Sequence, residues 1–207
     1  MKKITDIKPQ AKTPTRCNIY LDNSFYCGLE LETVMKFRLK VGQEIEPERL
    51  DEIQLDSEKI KALDKALTFI SKSKKTKKQV KDYLYKKGYT VQTVDAVILK
   101  MEDYRFIADD DYAEGYVKTY SKSKGKRLLK MELKQKGVSE EDMASALSLV
   151  DDESENALAV AQKYMKNKEK DTKNTLKCYK YLLSKGFGYD VAKEASQKAG
   201  KSEDDIS

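Results

Sequence analysis

The chain has 207 residues, room for one large domain or two small ones, with 39% hydrophobic and 37% charged side chains. That balance suits a thin helical array better than a thick globule, and the absence of histidine removes the usual neutral-pH base and the commonest zinc ligand. Lysine and arginine outnumber aspartate and glutamate 41 to 35, but unevenly: residues 57–102 carry 12 basic against 5 acidic side chains (+7), whereas 1–56 sum to −1, 103–153 to −3 and 154–207 to +3.

Residues 1–55 contain all three prolines, Pro9, Pro14 and Pro47. Arg16-Cys17-Asn18-Ile19-Tyr20-Leu21 alternates with period two, which puts Cys17, Ile19 and Leu21 on one face of a strand. Asp22-Asn23-Ser24 supplies turn chemistry, and Phe25 to Leu29 returns as the partner strand. Ile4 to Ile7 offers a third strand ahead of the Pro9–Pro14 connection. Glu30 to Lys40 reads as a short helix with Leu31, Val34 and Met35 inward, stopped near Gly42. Cys17 and Cys27 share the hairpin; pairing is open to them, but filling the core is the favoured role. With Cys178 they make an odd number and no CxxC, which points to a reducing, cytoplasmic setting. No apolar run reaches membrane-spanning length, and Met1-Lys2-Lys3-Ile4 lacks a signal-peptide core, so no membrane association is expected.

From Ser57 the period turns helical. Ser57 is placed to cap a helix running to about Ser71, with Ile60, Leu63, Leu67 and Ile70 on one stripe. A stretch closing on Lys-Gly then occurs three times, with its glycines at Gly88, Gly137 and Gly186, both intervals being 49. Leucine stands four places before each glycine (Leu84, Leu133, Leu182), and Val80, Leu129 and Cys178 stand eight before. Tyr89, Val138 and Phe187 follow. This is the pattern of a helix with a buried stripe, ended by a left-handed glycine. Around the stripes, Thr90 is placed to cap a helix carrying Val94, Val97, Ile98 and Met101, and Ser139 one carrying Met143, Ala146 and Leu147. Asp109-Asp110-Asp111 is expected to cap a helix with Tyr112, Tyr116 and Tyr120, and Asp152 to Ser154 opens one with Ala157, Val160, Ala161 and Tyr164 buried. A last helix spans about Tyr189 to Ala199, before a polar, frayed end. The predicted fold is mainly α: three tandem three-helix repeats (56–107, 108–151 and 152–207) forming an elongated curved array, preceded by a small α+β extension over 1–55, a hairpin or three-stranded sheet.

Signals for catalysis are weak. Ala195 to Ser202 fits a relaxed phosphate-loop pattern, but it follows a helix and little chain remains after it. The acidic triplets Asp109–Asp111, Glu140–Asp142 and Asp151–Glu153 stand at helix starts, where capping explains them better than magnesium does. No serine or cysteine has a recognisable base, so no catalytic residue, metal or cofactor is expected. What recurs is positive charge between the first and second helices of each repeat: Lys72, Lys74, Lys75, Lys77 and Lys78; then Lys122, Lys124, Lys126 and Arg127; then Lys166, Lys168, Lys170 and Lys173. If the units stack with a constant rotation, these bends line one edge, where phosphates would displace condensed counterions. Tyr83, Tyr85, Tyr104, Tyr116, Tyr179, Tyr181 and Tyr189 have the chemistry to stack bases, but their helical spacing favours packing.

One stretch carries a family likeness. Phe106-Ile107-Ala108-Asp109-Asp110-Asp111-Tyr112-Ala113-Glu114-Gly115-Tyr116-Val117-Lys118, followed by Lys124-Gly125-Lys126-Arg127-Leu128-Leu129 and Glu132-Leu133-Lys134-Gln135-Lys136-Gly137-Val138, resembles the core signature of the RecX regulators. The likeness extends from about residue 57 to 200, and Asn18-Ile19-Tyr20-Leu21-Asp22 with Leu39-Lys40-Val41-Gly42-Gln43-Glu44 looks like the extension of longer members. The resemblance implies a non-enzymatic, cytoplasmic regulator that lies along the filament of RecA recombinase on single-stranded DNA. Such a protein modulates, and is expected to inhibit, the filament's ATPase, strand-exchange and coprotease activities in recombinational repair. It implies a monomer that touches single-stranded DNA indirectly or weakly. The alternative is a general nucleic-acid-binding helical repeat protein acting directly on DNA.

Overall fold

The computed structural model describes residues 1–201; the polar end expected beyond them and Ser202 of the phosphate-loop-like stretch lie outside the described residues. Two compact units form, one from Met1–Ser73 with Val80–Phe106, the other from Lys74–Gln79 with the chain from Ile107 onward.

In the first unit, β1 (Lys2–Gln10), β2 (Thr13–Leu21), β3 (Ser24–Glu30) and β4 (Glu44–Ile45) make an antiparallel sheet in the order β3-β2-β1-β4. Asp22 and Asn23 are both left-handed (φ 47° and 69°), as a two-residue hairpin loop between twisted strands requires. The fourth strand was not anticipated, because its two residues, opposite Lys2 and Lys3, are too few to show alternation. Ile4, Cys17, Ile19, Leu21, Cys27 and Leu29 form one core with Val34, Leu39, Ile45, Leu50 and Ile53. Cys17 opposes Leu29 and Cys27 opposes Ile19, and both thiols are free and buried, so the core-filling role holds. Burial pushes the Cys27 thiol up to about 11.

Helix α1 (Leu31–Lys36) is shorter than expected, and it buries Thr33 and Val34 while Leu31 and Met35 lie exposed. Arg38, left-handed at φ 52°, turns the chain away before Gly42. Helix α2 (Pro47–Ser71) begins ten residues ahead of Ser57, with Pro47 in its first turn, where a missing N–H costs nothing. Ser57 is therefore no cap. It is buried in mid-helix, and its Oγ accepts a 2.9 Å hydrogen bond from the Glu30 amide, fastening α2 to the end of β3. The deepest positions toward the helix end are Ala62 and Ala66, whereas Ile60, Leu63, Leu67 and Ile70 are half-buried: the small side chains let α4 (Val91–Asp103) approach closely. Thr90 caps α4 by accepting from the Thr93 amide, as its position predicted.

The second unit contains the first turn of α3 (Lys77–Lys86), then α5 (Asp109–Tyr120), α6 (Lys126–Gln135), α7 (Glu140–Ser148), α8 (Ser154–Met165), α9 (Thr172–Ser184) and α10 (Tyr189–Gly200). Ser139 caps α7. The aspartates do not cap α5: its N-cap is Ala108, and Asp109, Asp110 and Asp111 fill the first turn, where they still oppose the positive end of the dipole. Ala157 and Ala161 are buried in α8, with Val160 and Tyr164 half-buried against them. Residues Ala195 to Gly200 are helical, and Gly200 packs on Thr175, whose Oγ1 an added Cβ would overlap.

All three Lys-Gly turns take the expected form. Gly88, Gly137 and Gly186 have φ of 86°, 84° and 85°. The following residue's amide reaches back to the leucine carbonyl each time: Tyr89 to Leu84, Val138 to Leu133 and Phe187 to Leu182. Stripe residues Val80, Leu84, Leu129, Leu133, Cys178 and Leu182 are fully buried.

Within the second unit these turns are also docking points. The Thr76 hydroxyl donates to the Lys136 carbonyl (2.7 Å), and the Lys77 amide donates to Asp109 Oδ1 (2.8 Å). One step along, the Gly125 amide donates to the Lys185 carbonyl (2.9 Å), and the Lys126 amide to Glu153 Oε2 (2.9 Å). Glu153 Oε1 also takes the Gly188 amide at 2.9 Å. The start of a stripe helix thus sits on the next Lys-Gly turn, with an acid from the next first helix satisfying its amide. Glu153→Ala removes two charge-assisted bonds and should cost the second unit about 3 kcal/mol in urea denaturation, whereas exposed Glu155→Ala should cost under about 1 kcal/mol.

Candidate polyanion-binding surface

The bends predicted as basic contacts are set by local capping. Thr76 and Gln79 form a reciprocal box, the Thr76 amide donating to Gln79 Oε1 and the Gln79 amide to Thr76 Oγ1. Gly125 is the N-cap of α6, and Asp171 caps α9 by accepting from the Asn174 amide.

The structure divides the thirteen basic residues. Lys78 Nζ donates to the Gln135 carbonyl (3.1 Å), Arg127 lies over the Tyr189 ring (4.5 Å), and Lys168 both donates to the Tyr164 carbonyl and covers its ring. Lys124 is held by Glu132, with Nζ 2.7 Å and 2.8 Å from the two carboxylate oxygens. Lys75, Lys77 and Lys126 are half-buried, their stretches of chain engaged in docking. Lys72, Lys74, Lys122, Lys166, Lys170 and Lys173 are exposed, with no ion pair among the described residues. Within the second unit the first two bends each meet a Lys-Gly turn, Lys78 through its side chain at Gln135 and Gly137, Arg127 through its backbone amide at Gly186 and its guanidinium over Tyr189.

The cations that sequence reasoning passed over are the lysines of the Lys-Gly pairs. Lys87 lies 5.6 Å over Tyr83, Lys136 5.4 Å over Tyr116, and Lys185 5.3 Å over Tyr181. Beneath them aromatic rings pair: Phe69 with Tyr83 (4.2 Å), Tyr116 with Tyr120 (4.5 Å) and Tyr164 with Tyr181 (4.7 Å). Each repeat therefore carries an aromatic pair roofed by a lysine, a combination that suits a polyanion bearing planar groups. Most tyrosines take the packing role; Tyr104 and Tyr189 are the more exposed.

In the middle repeat the Tyr116 hydroxyl donates to Glu132 Oε2 at 2.8 Å. Burial pushes the Glu132 carboxyl up, but the hydrogen bonds from Lys124 and Tyr116, with the charges of Lys124 and Lys136, outweigh it and hold the group below its ordinary value. Tyr116 is raised, first by burial and then by Glu132.

Comparison with known proteins places this architecture. Family models match the chain in order: the regulatory protein RecX N-terminal domain over residues 2–46, then the first, second and third RecX three-helix domains over 62–101, 109–147 and 151–195. The chain belongs to the RecX family. Regulatory protein RecX of Clostridium botulinum (strain Alaska E43 / Type E3) is 35% identical over 205 residues, covering 96% of this chain and 97% of that protein. The Clostridium perfringens (strain SM101 / Type A) protein of the same name is 36% identical over 196 residues, 92% of each. A crystal structure of regulatory protein RecX matches with TM-score 0.69 and 27% identity, covering 92% of this chain and 97% of that one. A second, RecX from Lactobacillus salivarius, matches with TM-score 0.62 and 28% identity over 69% of this chain and 96% of that one. As a RecX protein the chain is a non-enzymatic regulator, mainly helical, with three three-helix domains behind an antiparallel four-stranded sheet. No helix among the described residues is long and apolar enough to cross a membrane.

Proposed function

We propose that this RecX protein acts in the cytoplasm as a monomer that binds the filament of RecA recombinase on single-stranded DNA and inhibits its ATPase, strand-exchange and coprotease activities. The observation that carries this reading is the recurrence at successive bends of exposed lysines that make no ion pair among the described residues (Lys72, Lys74, Lys122, Lys166, Lys170 and Lys173), in a chain of this family. A ladder of cations suits a partner that is itself a repeating polyanion, because each lysine gains the same phosphate contact at each step. Inhibition then follows from linkage: a protein that binds along one state of the filament stabilises that state against those passed through in turnover.

Titration of the protein into RecA with single-stranded DNA and ATP is expected to lower ATP hydrolysis at substoichiometric amounts. An unchanged rate across a full titration would sink the proposal. Strong, salt-steep binding to bare single strands, with no effect on the recombinase, would favour direct action on DNA instead.

A further inference from the structure

The middle and third repeats share the lysine before the glycine and the buried leucine four places before it, and differ at the residue that precedes that leucine. Lys136 and Lys185 precede their glycines, and Lys124 and Lys168 each stand four residues after a tyrosine, Tyr120 and Tyr164. One residue before the buried leucine, the third repeat has Tyr181 and the middle repeat has Glu132.

In the third repeat, Lys168 lies 3.4 Å from the Tyr164 ring centroid and Lys185 5.3 Å from that of Tyr181, with no carboxylate on either among the described residues. In the middle repeat, Lys124 lies 4.6 Å over Tyr120 and Lys136 5.4 Å over Tyr116, but an anion is already present. The Glu132 carboxylate accepts both short bonds from Lys124 and one from the Tyr116 hydroxyl. Lys124 and Glu132 are each about a fifth exposed (22% and 23%).

We propose that Glu132 is an internal occupant of a cation–aromatic site that the third repeat leaves open, and that the open site takes a phosphate of single-stranded nucleic acid. A carboxylate held by a lysine and a tyrosine hydroxyl presents the same acceptor geometry as a phosphate oxygen pair. The paired rings of Tyr164 and Tyr181, each under a lysine, set aromatic groups beside the cations, which favours a single strand over a protein carboxylate. Glu132 thereby withholds Lys124 from the strand, while Lys185 and Lys168, which gives one of its three donors to the Tyr164 carbonyl, meet no carboxylate among the described residues. The inference rests on the functional reading above, in that the bends face nucleic acid.

The test compares full-length wild type, Glu132→Gln, Lys124→Met and the double variant for binding to a fluorescent oligo-dT over a salt series. Circular dichroism verifies the fold. Glu132→Gln should tighten binding about fivefold near 0.1 M salt and steepen the logarithmic salt slope by about 0.7, the share of one added lysine on a single strand. Lys124→Met, which leaves Glu132 in place, should bind as wild type does, and the double variant should lose the gain. Folded Glu132→Gln with wild-type affinity and slope overturns the proposal, as does an affinity loss in Lys124→Met alone. Polyglutamate displacing the oligonucleotide at equal charge concentration overturns the assignment to phosphate. If reversing the exposed bend lysines abolishes binding while Glu132→Gln changes nothing, this proposal fails and the functional reading stands; if neither changes binding, both fail.

Discussion

Gly186→Ala should cost the second unit about 4 kcal/mol or more, enough to leave it largely unfolded, whereas Gly88→Ala at the corresponding turn should cost only about 1 kcal/mol. Both glycines are left-handed with nearly the same φ, 85° and 86°, so the backbone strain of a side chain is shared. Their surroundings are not. A Cβ on Gly88 meets nothing within 4 Å, while one on Gly186 runs into the Leu128 Cβ and backbone nitrogen. Backbone cannot swing aside as a lysine tip can, so α6 would have to leave the turn. It would take with it the bonds from Gly125 to the Lys185 carbonyl and from Arg127 to the Gly186 carbonyl, each worth about 1 kcal/mol. Gly137→Ala should fall between, since its Cβ meets the Lys78 side chain, 2.6 Å from its root. Gly125→Ala gives an independent check on the same contact. Its φ of −78° carries no strain, yet its Cβ would overlap the Gly186 carbonyl oxygen and the Phe187 amide nitrogen. Urea denaturation followed by circular dichroism orders the four variants, and equal costs for Gly88 and Gly186 would refute the docking role.

What the sequence revealed and what it hid follow from the range of each interaction. The buried stripes and glycine stops rest on contacts within one helix turn, so Val80, Leu84 and Gly88 and their counterparts could be read directly. Ser57 has capping chemistry, but the stronger marker of the α2 start is Pro47 in a first turn, within the stretch assigned to the α+β extension. The inward face of α2 follows closeness of approach rather than side-chain size, so Ala62 and Ala66 mark where helices come closest. The docking of Thr76 on Lys136 spans 60 residues and leaves no local trace. The Lys-Gly lysines illustrate a different blindness. As part of a helix stop they look incidental, and only the fold brings Lys136 over Tyr116, a ring on another helix. Among the bend residues, the sequence offered no means of telling Lys124, committed to Glu132, from exposed Lys122 two residues before it.

That distinction governs the second large effect. Simultaneous Lys166→Glu, Lys170→Glu and Lys173→Glu should weaken binding to the RecA filament by about 100-fold near 0.1 M salt and flatten the logarithmic salt slope by about two, three lysine contacts at roughly 0.7 each. These three are exposed and carry no ion pair among the described residues, so reversal removes no bond that holds the fold. Lys78→Glu or Lys124→Glu would not be so clean: one loses a bond to the Gln135 carbonyl, and the other sets two carboxylates side by side with Glu132. Reversing Lys163, Lys180 and Lys193, which are exposed, belong to no bend and carry no ion pair among the described residues, changes net charge equally and should cost less than about fivefold. Equal losses in the two triple variants would mean that overall charge, rather than the bends, drives association. Filament binding and ATPase inhibition should fall together if the lysines hold the protein in its inhibitory position. Should the bend variant lose affinity for bare single strands yet keep full inhibition, the lysines contact DNA alone and the recombinase must be engaged by another face.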